Sequence, residues 1–101
     1  MTPLDDGHAV HYTALELGIP VIASDGQEVG KLVEVLDNYR EHIFDGIVLE
    51  TPGGERKFVD APEVARTAER AVTLTIPADE VARLGPPDSG GGVKGLFRRG
   101  R

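Results

Sequence analysis

The residues of this chain best suited to chemistry are its three histidines and its scattered carboxylates. His8 and His11 stand three apart, the spacing of a shared metal, and His42 lies elsewhere. Two ligands do not make a site. Metal centres generally take three or four ligands held by outer partners, so Asp5, Asp6 or His42 would have to converge on one polar segment. The simpler expectation is solvated loop histidines, with no metal. Asp37, Glu41, Asp45 and Glu50 lie along or between two strand-like runs. General acid/base work needs two groups whose surroundings drive their pKa values apart, usually in a pocket, and a small barrel is filled by its own side chains. These acids are expected to be surface charges. Ser24 and the threonines lack His and acid partners at a recognisable spacing, and Gly90-Gly91-Gly92 lacks the Lys-Ser/Thr of a phosphate loop. With no cysteine, thiolate nucleophiles, disulfides and Cys-ligated metals are excluded. The expectation is a non-enzyme without cofactor, catalytic residues or small-molecule substrate.

The elements that would carry these groups are short strands separated by Gly, Pro and Asp. The stretch from Val21 to Val35, with Ser24-Asp25-Gly26-Gln27 at its turn, reads as two β runs joined by Asp-Gly, a pair that favours tight, primed hairpin turns because Gly accepts positive φ. Strands are expected at Pro20 to Ala23, Val29 to Asp37, His42 to Thr51 and Arg56 to Val59, the last stopped by Pro62. Ala71 to Ile76 alternates, with Val72, Leu74 and Ile76 on one face and Thr73 and Thr75 on the other, as in a half-buried strand. From Pro77 to Gly85 a helix is expected, with Pro at its start, acids in its first turn and Gly beyond its end. This order specifies an all-β fold, a small antiparallel β-barrel with a short C-terminal helix and a disordered tail.

The chain has 101 residues, enough for one domain and one small core. The expected division is a loosely held lead-in at 1–13, the barrel at 14–85 and a Gly-rich basic tail at 86–101. Residues 1–84 carry 7 basic and 16 acidic groups and residues 85–101 carry 4 and 1, so the body is −9 and the tail +3. An acidic body repels phosphate, so any nucleic-acid or anionic-membrane contact must run through the tail. The apolar runs fall far short of the ~20 residues of a membrane helix, and the start of the chain lacks the regions of a secretory signal. A cytoplasmic location is expected. The excess of Arg over Lys, with abundant Ala, Gly and Val, suggests a GC-rich prokaryotic source.

Residues from about Leu15 to Leu84 resemble the PRC-barrel domain, the small barrel of the photosynthetic reaction centre H subunit and of the ribosome maturation factor's C-terminal half. The resemblance rests on Gly18-Ile19-Pro20-Val21, on Asp25-Gly26 followed by Val29-Gly30-Lys31-Leu32 and Val35, on Phe58-Val59, and on Ala71-Val72-Thr73-Leu74 leading into a helix. The connection at Asn38 to Glu41 is short for the family, and Asp60-Ala61-Pro62 matches its Pro-rich segment only loosely. What the resemblance implies is a module for assembly and partner binding, on RNA-protein machinery or at a membrane, without a family-wide catalytic centre.

Strict alternation puts Val29, Val33 and Val35 on one face of the second strand and Leu32 and Leu36 on the other. It puts Ile43, Ile47 and Leu49 opposite Phe44 and Val48 in the third. A barrel buries one face, so Leu32, Leu36, Phe44 and Val48 are expected as an outer patch on which a homodimer forms, unless the helix covers them or a bulge shifts the register. The tail ends in Lys94, Leu96, Phe97, Arg98, Arg99 and Arg101, a basic-apolar cluster. It is expected either to meet an acidic partner or an anionic surface such as RNA or membrane, or to rest on its own acidic body. The leading expectation is a protein-interaction and assembly module with an unidentified protein partner. The alternative is an RNA-processing or ribosome-associated binding factor.

Overall fold

The computed structural model describes residues 5–38 and 43–87. Six strands form one sheet: β1 Pro20–Ile22, β2 Glu28–Asn38, β3 Ile43–Glu50, β4 Arg56–Asp60, β5 Val64–Thr67 and β6 Val72–Leu74, followed by a single short helix, α1, Ala78–Ala82. The order across the sheet is β4-β3-β2-β1-β6-β5. All neighbours are antiparallel except β1 and β6, which run parallel through Val21↔Val72 and Ile22↔Thr73. The sheet is therefore mixed, a correction to the wholly antiparallel expectation. Its cause is topological: the chain returns from the far edge to place β6 beside β1.

Curvature follows from the connections. β4 and β5 stand at opposite edges of the sheet, which in a flat six-stranded array lie about 24 Å apart. Only Ala61–Glu63 separates them in sequence, and so short a link reaches roughly 14 Å at most. The sheet must curl, and it forms a half-barrel. The concave side holds a core of Val21, Ala23, Leu32, Ile47, Leu49, Val59, Val72, Leu74, Ile76 and Val81. Each large aliphatic buried there contributes about 1.5–3 kcal/mol before conformational entropy is charged against it.

The β1–β2 hairpin forms where Asp-Gly is placed, though with a longer loop than a two-residue primed turn. Ala23 N–H donates to the Gln27 carbonyl and Gly26 N–H to the Ala23 carbonyl, leaving Ser24-Asp25-Gly26 as the loop, with Gly26 at φ 89°. Further along, the pairing slips between Val21 and Ile22, leaving Val29 as an extra residue on β2. Asp25 also reaches the helix. Its Oδ2 accepts from Ala78 N–H at 3.2 Å, capping α1 where Pro77 offers no side-chain acceptor. At the other end Lys57 Nζ donates to the carbonyls of Ala82 and Leu84 at 3.1 and 3.0 Å. A helix of five residues, shorter than the expected Pro77 to Gly85, is held at both ends by the sheet and by Val81 beneath it.

Two bulges decide which side chains face inward. On β2, Leu32 pairs with Leu49 and Glu34 with Val48, so Val33 is extra; on β3, Gly46 pairs with Leu36 and Phe44 with Asp37, so Asp45 is extra. Each extra residue reverses the alternation beyond it. Leu32 therefore enters the core with Val35, and Phe44 packs against the same core. Leu36 and Val48 keep to the opposite face but are buried, with the Phe58 ring lying over Gly46 beside them. The outer patch expected from Leu32, Leu36, Phe44 and Val48 does not form. Three of the four are buried, and the four are divided between two faces.

Candidate functional site: an acidic aromatic groove

The stretch before β1 was expected to be loosely held, and residues 5–10 are not. Val10 N–H donates to the Thr67 carbonyl, Glu69 N–H to His8 and Arg70 N–H to Asp6, around a bridge between Ala9 and Ala68. They lengthen the sheet beyond β5. Asp6 is buried and accepts from Arg66 Nε at 2.7 Å and Nη2 at 3.2 Å, a bidentate pair. The Arg66 hydrogen bonds hold the Asp6 carboxyl below its ordinary value against the opposing effect of burial. Glu69 is lowered chiefly by the His8 backbone N–H, which donates to its Oε1 at 3.1 Å.

His8 thus points its ring toward Glu69, at 3.6 Å, while His11 Nδ1 accepts from Thr13 N–H and caps the Tyr12–Ala14 turn. The two histidines are occupied separately. Among the described residues no group of three His, Asp or Glu side chains is placed to hold a metal ion. His42 and Glu41 lie outside the described residues. Of the other acids singled out from sequence, Glu50 faces Arg56 at 3.5 Å, whereas Asp37 and Asp45 flank a tyrosine.

That tyrosine, Tyr12, organises a groove on the surface. Its ring stacks on Phe44 at 4.7 Å and 17°, and the His11 ring lies 4.3 Å away on its own segment. The Asp45 bulge makes this contact by turning Phe44 toward the inner side. On one flank of Tyr12 runs an open groove of about 410 Å³ lined by Tyr12, Thr13, Leu15, Leu17, Val33, Glu34, Val35 and Asp37. On the other flank a second hollow of about 310 Å³ lies among Val10, Phe44, Val64 and Thr67. Val33, Glu34 and Val35, at and beside the β2 bulge, line the first groove together with Asp37. Among the described residues the lining carries two carboxylates and no cation. Burial, with the Asp37 and Asp45 charges, raises the Tyr12 phenol above the usual tyrosine value.

Large apolar side chains left open among the described residues are Leu17, 63% exposed, and Ile43, 49% exposed. Leu17 lines the groove and Ile43 precedes Phe44. Sequence reasoning passed over Tyr12, Leu15 and Leu17 by assigning the first of them to a polar lead-in. The available signal was scarcity: with 2 Tyr and 3 Phe in the whole chain, an aromatic among polar residues is unlikely to be idle. The tail candidates Lys94, Leu96, Phe97, Arg98, Arg99 and Arg101 lie outside the described residues. No helix among the described residues is long and apolar enough to cross a membrane. No protein-family model matches the chain, and no curated protein matches it.

Proposed function

We propose that this chain is a non-enzymatic interaction module of the PRC-barrel type that binds a basic, apolar segment of a partner protein in the groove beside Tyr12. The observation that carries this reading is the groove's composition among the described residues: an apolar floor of Leu15, Leu17, Val33 and Val35, an aromatic wall, and a rim of Glu34 and Asp37. Such a surface accepts leucine or phenylalanine side chains below and lysine or arginine above. Its sign disfavours phosphate, so RNA is not the ligand assigned to this groove. Self-association through Leu32, Leu36, Phe44 and Val48 is not part of the proposal because that patch is not exposed.

The reading is tested by titrating a synthetic peptide that carries a Leu-Phe pair followed by two arginines into the full chain. Binding is expected to weaken about tenfold in Tyr12→Ser, by loss of the stacked wall, and to fall with salt. Equal affinity for Tyr12→Ser and the parent protein would dismiss the groove.

A further inference from the structure

The groove's chemistry matches a segment of the same chain. We infer that residues 94–101 occupy the Tyr12 groove in cis, so that the module carries its own competing ligand. This deepens the interaction-module reading and rests on it.

Charge complementarity comes first. Lys94, Arg98, Arg99 and Arg101 are the four cations of the tail, and its single acid, Asp88, stands at its beginning. They surround Leu96 and Phe97, the two large apolar residues that a floor of Leu15, Leu17, Val33 and Val35 would receive. Glu34 and Asp37 at the rim meet the arginines.

Reach agrees. The Gly85 carbonyl accepts from Phe58 N–H at 3.0 Å, which ties the end of the described chain to β4. Phe58 pairs with Val48, and Phe44 lies four residues from Val48 along β3, roughly 13 Å at ~3.3 Å per residue. With Tyr12 stacked on Phe44, the groove begins within roughly 20 Å of Gly85. Leu96 follows Gly85 by eleven residues, and a Gly-rich linker of that length has a root-mean-square span of roughly 18 Å. A linker whose mean span matches the separation gives its highest effective concentration, in the millimolar range. Even a contact of a few tenths of a millimolar would then be closed most of the time.

The experiment uses the full chain, with Arg98→Glu/Arg99→Glu and Leu96→Ser/Phe97→Ser as variants, followed by amide and aromatic NMR. Relative to the parent protein, signals of Tyr12, Leu17, Val33 and Asp37 are expected to move while those of Val21 and Leu74 stay. The differences are expected to persist on dilution and to shrink with salt. A synthetic peptide of residues 93–101 is expected to bind the charge-reversed variant about threefold to tenfold more tightly than the parent, because the groove has been vacated. Equal peptide affinity for parent and variant would overturn occupation in cis and leave the groove as a binding site. Failure of the peptide to bind either protein would remove the module reading as well. Perturbations that vanish on dilution would assign the tail to a second copy, and perturbations seen only with anionic lipid vesicles would assign it to a membrane; either result overturns the inference.

Discussion

Residues 6–10 and residues 12–17 form one continuous stretch of chain against the sheet, yet their surroundings are opposite. The first half is fully engaged: its backbone bonds to residues 67–70, and its one buried acid meets a guanidinium in a two-pronged contact. In the second half the backbone bonds stay local, Ala14 to His11 and Leu15 to Tyr12, until Gly18 N–H returns to the Leu32 carbonyl. There the carboxylates of Glu34 and Asp37 line an apolar channel beside Leu17, which stays largely open. Structure is built where polar groups are satisfied, and binding capacity is left where apolar surface and charge are not. The lesson is that a short extension can both seal one sheet edge and furnish one wall of a site.

Four experiments sharpen or break this contrast. The largest effect belongs to Gly46→Ala, since Gly46 sits at φ 152° and an added Cβ would meet the Val59 carbonyl and the Phe58 ring. The clash strains β3 next to the Asp45 bulge and is expected to cost about 3 kcal/mol in urea denaturation. Next is Asp6→Asn, expected to lower the melting temperature by several degrees and to speed hydrogen exchange at the Val10, Glu69 and Arg70 amides. The same clamp sets an acid limit. Because the Asp6 and Glu69 carboxyls are depressed when folded, their stabilisation is complete above the ordinary values of 3.8 and 4.5. It is lost as pH falls through the lower folded values. Melting curves below pH 4 should show that loss in the parent and a smaller one in Asp6→Asn.

The groove is tested from the alkaline side. Tyr12 should ionise above the ordinary value of 10.0, followed by its ultraviolet difference spectrum, and Asp37→Asn should bring the midpoint back down. Since the folded state keeps this proton longer than the unfolded one, stability should decline as pH rises past 10.0. The smallest stability effect is expected for Leu17→Ser, within about 0.5 kcal/mol because the side chain is 63% exposed. Its peptide affinity should nevertheless drop. A large stability loss there would mean that Leu17 belongs to the core and the contrast is false.

Much of the strand framework was legible because it is written locally. Val72, Leu74 and Ile76 are buried while Thr75 is exposed, as alternation required, and Asp25-Gly26 does turn β1 into β2. β5 was not anticipated: Val64-Ala65-Arg66-Thr67 has one large apolar residue, and its strand character comes from pairing with β6. The faces of β2 and β3 were misassigned because a bulge carries no dependable signature, and one inserted residue inverts every side chain after it. The Asp6–Arg66 pair joins positions sixty apart in sequence. Nothing local announces it. The Tyr12 groove was hidden for the same reason, since its lining comes from residues 12–17 and from β2, and its stacking partner from β3.

The parallel register of Val21 with Val72 has a consequence for synthesis on the ribosome. β1 finds β2 at once, but its second neighbour is made about fifty residues later. Until then the nascent hairpin offers a bare flank to whatever passes. Completion of the sheet is therefore governed by a contact distant in sequence, which the order of the strands places after the local pairing of β1 with β2.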